Sequence, residues 1–128
     1  MSKEAIQKVV AEYFAAIRAM DVEDVVATFA ENAISHDPVG GPAIEGHAGI
    51  RQFFQGMVSA FEKAGLTENH VFVSGNGAAV KWTGHGVGKN GREVHFEGID
   101  VFEVNEEGKI QKLWAFWDAA AMMAKLQG

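Results

Sequence analysis

Apolar residues recur at helical spacing in three segments of the first half of the chain. Their i, i+3, i+4 and i+7 pattern predicts three amphipathic helices, each of which buries one face. The first begins after Ser2 and the second after Asp21, both suitable N-caps, and the second ends near residues 31–32. The third runs from about residue 50 to Gly65. The apolar positions of the three segments are Ile6, Val9, Val10, Tyr13, Phe14 and Ile17; Val22, Val25, Val26 and Phe29; and Ile50, Phe53, Phe54, Met57, Val58 and Phe61.

Between the second and third helices the pattern changes to an extended segment and a loop. Residues 33–37 are expected to be extended, because Pro38 disfavours the α conformation of the residue before it. Residues 39–46 contain three glycines and a second proline, which predicts a loop.

Glycines divide the second half of the chain into β-branched and aromatic segments. Eight of the 15 glycines lie between residues 75 and 108. This pattern predicts turns at 74–77, 89–91 and 105–108, and strands near 66–73, 78–87, 92–104 and 109–117. A short Ala- and Met-rich helix over 119–126 then closes the chain.

Helices followed by a meander of strands predict an α+β architecture. We expect one domain over residues 1–128, since this length is enough to bury a core without disulfides or metals. Three N-terminal helices should pack on one face of a curved antiparallel or mixed sheet, because each amphipathic face needs a partner. A curved sheet wrapped on helices encloses a cone, whose interior can hold a ligand.

Charge and cysteine content exclude several functions. The 17 acidic and 11 basic residues give a net charge of −6, which disfavours binding to nucleic acids and to acidic membranes. The absence of cysteine excludes disulfides, Cys-based zinc sites and a Cys nucleophile. Charged residues interrupt the first 20 positions, so neither a signal peptide nor a membrane span is expected there, and we predict a cytoplasmic protein.

One carboxylic acid lies in phase with the apolar face of a predicted strand. The even positions of strand 92–104 are Val94, Phe96, Gly98, Asp100, Phe102 and Val104. If the strand is regular, Asp100 is buried, and burial raises the pKa of a carboxyl until it can donate a hydrogen bond at neutral pH. The alternatives are a bulge that turns Asp100 outward, or an Asp that caps backbone groups.

Two further polar residues are candidates for a site. Tyr13 is the only tyrosine beside nine phenylalanines, and it shares the inner face of the first helix, so its hydroxyl needs a partner. That partner is either a backbone carbonyl or a ligand. Asp37 ends the extended segment before a glycine-rich loop, where it is either a turn residue or a catalytic base.

Glycines within the strands bear on the shape of the cavity. Gly84, Gly86 and Gly98 remove side chains where strands normally pack, and the first two share a face with Trp82. We interpret this pattern as room for a flat, apolar ligand, although bends that curve the sheet would need the same glycines.

Metal, triad and phosphate sites are not supported by motifs. The five histidines, His36, His47, His70, His85 and His95, show no short metal-ligand spacing, so no metal site is expected. A Gly-x-Ser-x-Gly elbow is absent. The glycine-rich run over 84–88 lies in a predicted hairpin and not at the start of a helix, so it is a poor phosphate loop.

Taken together, these residues resemble the Δ5-3-ketosteroid isomerase branch of the nuclear-transport-factor-2-like, or SnoaL-like, superfamily. The resemblance covers nearly the whole chain. It rests on VVAEY at 9–13, FAENA at 29–33 leading to HDPVG at 36–40, Gly46, IRQFF at 50–54 and GIDVF at 98–102. The combination of an Asp-Pro-Val-Gly loop, a tyrosine in the first helix and an Ile-Asp strand is the part most specific to the isomerases.

The resemblance implies a reaction and roles for three residues. Asp37 would be the general base, and Tyr13 and a protonated Asp100 would donate hydrogen bonds to an oxyanion; a donor Asp of raised pKa is a known property of these isomerases. The base would move a proton from C4 to C6 of a 3-oxo-Δ5-steroid through a dienolate, without a cofactor. Relatives are homodimers, and we expect the same here.

The resemblance also suggests the walls of the substrate site. Four aromatic residues are assigned to these hydrophobic walls: Phe54, Trp82, Phe96 and Trp117. Many relatives surround the catalytic tyrosine with further tyrosines, whereas Phe29 and Phe54 stand at the matching positions here. Without a supporting phenol, Tyr13 would be either less polarised or in a drier pocket.

Two other functions fit the same fold. One is a SnoaL-like cyclase or dehydratase that acts on another polyketide or terpenoid ketone with the same acids. The other is a non-catalytic domain that binds hydrophobic ligands. Retention of Tyr13, Asp37 and Asp100 together disfavours the binding domain, because an apolar carrier pocket does not need two buried acids.

Overall fold

The computed structural model describes residues 2–128, which form an α+β fold of four helices on a six-stranded curved sheet. The predicted fold class is therefore confirmed. The elements in chain order are α1 Lys3–Arg18, α2 Val22–Ala27, β1 Phe29–His36, β2 Ile44–Glu45, α3 Gly46–Ala60, β3 Phe61–Ser74, β4 Gly77–Gly88, β5 Glu93–Val104, β6 Ile110–Trp117 and α4 Ala119–Gln127.

The sheet is mixed, with strand order β2-β1-β6-β5-β4-β3. Neighbouring strands of the sheet are antiparallel, except for β1 and β6, which run parallel to each other. Strands β3 to β6 form the meander predicted from the glycine pattern. Each of the three predicted turns contains a glycine with positive φ, a backbone conformation that other residues rarely adopt: Gly75 at 59°, Gly91 at 83° and Gly108 at 78°.

Hydrophobic side chains from the helices and from the inner face of the sheet form the main core. The largest fully buried side chains are Trp82, Tyr13, Phe14, Phe29, Phe102, Ile6, Ile17, Ile50, Ile110 and Leu113.

Both predicted N-caps are confirmed. The side chain of Ser2 accepts a hydrogen bond from the Ala5 amide at 3.1 Å, and that of Asp21 accepts one from the Asp24 amide at 3.0 Å.

Helix α2 is shorter than its apolar spacing predicted. It ends at Ala27 and not near residues 31–32, and Phe29 begins β1. The Thr28 carbonyl accepts a hydrogen bond from the Ile110 amide at 2.9 Å, and Phe29 pairs with Ile110 in the parallel β1–β6 ladder. Pairing with a residue 81 positions later in the chain therefore overrides the local helical pattern, a common outcome of tertiary contacts.

The third helix also ends earlier than predicted. Helix α3 stops at Ala60, and β3 begins at Phe61, where the sequence predicted helix to Gly65 and a strand from residue 66. Phe61 is buried in either arrangement, so its apolar character does not distinguish the two, and its pairing with Gly88 decides the outcome. The predicted loop over 39–46 contains the short strand β2, which pairs with Ile34 and Ser35.

Within residues 2–128, each helix is either too short or too polar to cross a bilayer.

Candidate active site

A cavity of about 350 Å³ opens between α1, α3, α4 and the inner face of the sheet. This volume lies at the small end of the range for ligand pockets, about 300–1,000 Å³. All seven residues that the sequence suggested for a site line this one cavity: Tyr13, Asp37, Phe54, Trp82, Phe96, Asp100 and Trp117. Most of the remaining lining is apolar and comes from Ile17, Pro38, Phe53, Met57, Ala60, Phe61, Ala64, Leu66, Met122 and Met123.

Tyr13 projects from the inner face of α1 and is 1% exposed. Its ring meets those of Phe14, Phe29, Phe54 and Phe102 edge-on, at centroid distances of 5.2 to 6.3 Å. Burial raises the pKa of the Tyr13 phenol well above its usual value, and the negative charges of the two cavity aspartates raise it further. The hydroxyl therefore remains protonated and available as a donor, in a ring of phenylalanines and without a neighbouring phenol.

Asp37 directly follows the last residue of β1 and is partly buried at the cavity wall. Its Oδ1 accepts a hydrogen bond from Trp117 Nε1 at 2.7 Å. Burial raises the pKa of Asp37 to about 6, although the Trp117 hydrogen bond acts in the opposite direction. Near neutral pH the carboxyl is largely ionised, and its pKa is close enough to that pH for it to take up and return a proton.

Asp100 lies on the inner face of β5 and is 2% exposed. It pairs with Val80 and Ala115 across regular stretches of the ladder, so the bulge that would have turned it outward is absent at this point. Burial and the nearby Asp37 charge raise the pKa of Asp100 to about 8. Asp100 is therefore largely protonated at neutral pH and can donate a hydrogen bond.

The Trp82 indole adds a polar atom to an otherwise apolar wall. Its N–H lies close enough to Asp100 to act against the rise of the Asp100 pKa. Within residues 2–128, however, this buried N–H has no hydrogen-bond partner. Trp82 was assigned from the sequence only as a hydrophobic wall, so this donor was missed.

The aromatic walls occupy the space that the strand glycines provide. Trp82, Phe96 and Trp117 pack mutually, with centroid distances of 5.5 to 6.0 Å. A Cβ at Gly84 would collide with the Phe96 ring, and one at Gly98 would lie 2.6 Å from Trp82. The interpretation of these glycines as open room is therefore wrong in detail, because aromatic rings lie directly over them and the cavity begins beyond those rings.

A second group of titratable residues lies on the opposite face of the sheet. His85, Glu93 and His95 are exposed, and their ligand-capable atoms lie within 4.8 Å of one another. Sequence spacing did not reveal this group, because its members come from two strands. The antiparallel register that follows from the turn at 89–91 would have placed His85 opposite His95, as the structure does.

Fold and site together define a class of protein: a helix-covered curved sheet that encloses an apolar cavity containing two aspartates and a phenol. A family model for the SnoaL-like domain matches residues 10–113, and the chain belongs to this family.

Individual relatives point to two kinds of enzyme. The chain is 28% identical over 123 residues to a steroid Δ-isomerase of Nocardioides simplex, covering 96% of this chain and 97% of that protein. It is 31% identical, with a TM-score of 0.84, to the structure of the epoxide hydrolase/cyclase-like enzyme SalBIII, which is described with a role in pyran ring formation in the polyether salinomycin. That similarity covers 93% of this chain and 95% of the other.

Proposed function

We propose that the protein is a steroid Δ-isomerase that converts a 3-oxo-Δ5-steroid into its conjugated Δ4 isomer. The observation that carries this proposal is the grouping of Asp37, with a pKa of about 6, Asp100, with a pKa of about 8, and the phenol of Tyr13 around one apolar cavity. One ionised acid and two protonated donors are what an enolisation requires. The similarity to the isomerase of Nocardioides simplex supports the same substrate class.

In this mechanism Asp37 and the two donors have separate roles. The Asp37 carboxylate removes the C4 proton, and the C–H electron pair forms a new double bond as the 3-oxo group becomes a dienolate. Tyr13 and Asp100 donate hydrogen bonds to the dienolate oxygen, and each donor is worth about 10²–10³ in rate. Protonated Asp37 then returns the proton to C6, so the reaction is balanced without a cofactor.

The cavity walls support these steps. Trp117 holds Oδ1 of Asp37 through its indole N–H and leaves the other oxygen free to take the proton. The rings of Phe54, Trp82 and Phe96 provide apolar surface for a flat ring system. The phenylalanines around Tyr13 exclude water, which strengthens the hydrogen bond that its hydroxyl donates.

A second function is supported by the similarity to SalBIII. In an epoxide-opening cyclase, Asp37 would accept the proton of an attacking hydroxyl, while Asp100 or Tyr13 would protonate the epoxide oxygen as its C–O bond breaks. The same cavity would hold a polyether precursor. The alternative cyclase or dehydratase on another polyketide or terpenoid ketone uses the same acids, and a non-catalytic binding domain would use the cavity alone.

An isomerisation assay tests the primary proposal. Wild-type protein mixed with a 3-oxo-Δ5-steroid should produce the ultraviolet absorbance of the conjugated enone. Asp37→Asn should remove nearly all turnover, whereas Tyr13→Phe and Asp100→Ala should each remove part, and Glu106→Gln, a surface carboxylate in a turn, should behave as wild type. Unchanged turnover in Asp37→Asn would show that another group is the base.

A substrate comparison separates the two enzymes. The same four variants are assayed with a hydroxy-epoxide polyether precursor, and ring formation is followed by mass spectrometry and NMR. Turnover of this substrate without steroid turnover would favour the cyclase. Steroid binding without either reaction would favour the non-catalytic domain.

The homodimer and the cytoplasmic location remain predictions. Large apolar side chains on the outer face of the sheet support self-association. Ile99 of β5 and Phe116 of β6 are cross-strand partners that are 45% and 50% exposed, and Phe72 of β3 is 71% exposed. Light scattering should give twice the chain mass, and Phe116→Asp should reduce it toward the monomer. A monomeric wild-type protein would contradict the dimer.

A further inference from the structure

The outer face of the β4–β5 hairpin contains a group of metal-ligand side chains, His85, Glu93 and His95. Alternate residues of a strand point to opposite faces, so these odd-numbered positions face away from the cavity, while Gly84 and Phe96 face toward it. The group lies beyond the end of β6, because the pairing of β6 with β5 stops at Gly98. Its chemistry is therefore separate from that of the cavity.

The geometry of the group is convergent. His85 and His95 are direct cross-strand partners, and their ring centroids are 4.7 Å apart. Glu93 is two residues before His95 and so lies on the same face. Its Oε1 lies 2.9 Å from His85 Nε2 and 3.1 Å from His95 Nε2, so both imidazoles point the same nitrogen at one carboxylate oxygen.

Two imidazoles and one carboxylate are a well-known ligand set for Zn²⁺. At Zn–ligand bond lengths of 2.0–2.2 Å, two ligand atoms on a tetrahedral ion are separated by about 3.3 Å. The observed separations approach this value, and all three ligand atoms lie within 4.8 Å of one another. Small side-chain rotations would therefore place an ion where the nitrogens and the oxygen now meet.

The surroundings allow an ion to enter. The three side chains are 50%, 61% and 72% exposed, so water can reach the group and can occupy a remaining coordination position. Exposed His–Glu contacts of this kind contribute little to stability, because water screens the attraction between the side chains. Replacing these His–Glu contacts with metal–ligand bonds therefore costs the folded protein little stability.

We propose that His85, Glu93 and His95 form a surface site for a divalent transition metal, with Zn²⁺ as its best-fitting ion. The ion links β4 to β5 near their turn through three protein ligands, and water completes the coordination. Cu²⁺ and Ni²⁺ also accept imidazole ligands, whereas Mg²⁺ and Ca²⁺ prefer oxygen and are not expected to bind here.

Calorimetric titration of the untagged protein with Zn²⁺ tests the site. Wild type should bind one Zn²⁺ per chain, His95→Gln should bind at least tenfold more weakly, and His85→Gln/His95→Gln should lose the site. His70→Gln is the matched control, since His70 is an exposed histidine of β3 that stacks on Phe72 outside the group. It should bind Zn²⁺ as wild type does.

Thermal unfolding gives a second readout. Zn²⁺ should raise the unfolding temperature of wild type and of His70→Gln, because a ligand that binds only the folded state stabilises it. It should not do so in the double variant, whose folding without metal is checked by circular dichroism. Equal Zn²⁺ affinity in wild type and the double variant, or no saturable binding to wild type at millimolar Zn²⁺, would overturn the proposal.

Discussion

Asp37 and Asp100 face the same cavity, but their surroundings give them different protonation states at neutral pH. Asp37 is partly buried and accepts a hydrogen bond from Trp117, so its pKa rises only to about 6. Asp100 is more deeply buried beside that charge, and its pKa rises to about 8. Since the two acids interact, they titrate as a pair, with one proton lost well before the other. This separation gives the site a base and an acid from one residue type.

The first prediction concerns the pH dependence of kcat/KM for isomerisation. Activity should rise with pH through about 6, as Asp37 loses its proton, and fall through about 8, as Asp100 loses the proton it donates. The maximum should lie near pH 7. Asp100→Asn keeps a donor that does not titrate, so its falling limb should disappear while the rising limb stays. A falling limb near pH 8 that survives in Asp100→Asn would assign it to another group.

The second prediction concerns the Trp117 indole. Its hydrogen bond lowers the pKa of Asp37 against the effect of burial, so Trp117→Phe, which keeps an aromatic wall, should raise that pKa. The rising limb of the pH profile should then move to higher pH. Trp114→Phe is the matched control, because Trp114 lies on the same strand but faces away from the cavity. An identical shift in both variants would refute the specific role of Trp117.

The position of some site residues could be predicted from the sequence, whereas the contacts of others could not. Asp100 could be placed in the core from the alternation of β5 alone, because a regular strand fixes which face each residue occupies. The contact between Asp37 and Trp117 joins residues 80 positions apart, and neither local pattern contains it. The unpaired Trp82 N–H is equally invisible, since it depends on where every neighbouring acceptor lies.

Among the elements, β5 brings together the acid and the aromatic walls, and Gly98 makes that arrangement possible. A Cβ at this position would lie 2.6 Å from the Phe116 carbonyl oxygen, 2.6 Å from the Trp82 ring and 2.7 Å from Trp117 Cβ. The Phe116 carbonyl oxygen is a backbone atom of β6, and Trp117 Cβ is bonded directly to that backbone, so neither atom can rotate away. The glycine therefore allows β5 and β6 to pack closely two residues before Asp100.

The third prediction follows from this contact. Gly98→Ala should destabilise the fold by about 1–3 kcal/mol, as overpacking generally does, and should lower isomerase activity by displacing Trp117. Gly56→Ala is the control: it lies within α3 with no atom near the added Cβ, and should stabilise by about 0.5–1 kcal/mol. Urea unfolding measures both changes. Equal stability of Gly98→Ala and wild type would show that β5 and β6 can relax apart.

Helix and strand boundaries show where local patterns fail. Phe29 and Phe61 both continue the helical spacing of apolar residues, yet each begins a strand. Phe29 pairs with Ile110 and Phe61 with Gly88. This pairing provides the backbone hydrogen bonds that a longer helix would have formed within itself. The spacing of α1 has no such competitor, and its N-cap and apolar face match the prediction. Long, well-capped elements are therefore predictable, and element ends next to long-range partners are not.

For the molecule as a whole, the cavity draws its walls from α1, α3, α4 and four strands. The chain order of helices and strands was enough to predict a cone that covers one face of the sheet. It did not predict how α4 places Met122 and Met123 on the cavity wall, since the short helix carries no pattern that selects a docking position.

The fourth prediction concerns global stability, because two buried acids of raised pKa make the folded state bind more protons than the unfolded chain. Both acids ionise near pH 3.8 when unfolded, so their contribution to stability is complete below about pH 4 and is lost as pH rises to about 8. Of these two acids, Asp100 accounts for most of the difference in protonation between the folded and unfolded states from pH 6 to 8. Its replacement in Asp100→Asn should therefore flatten the decline there by up to about 1.4 kcal/mol per pH unit. Asp37→Asn should act mainly between pH 4 and 6. Urea unfolding at pH 5, 6, 7 and 8 measures both slopes, and an unchanged slope in Asp100→Asn above pH 6 would mean that Asp100 is already ionised in the folded protein.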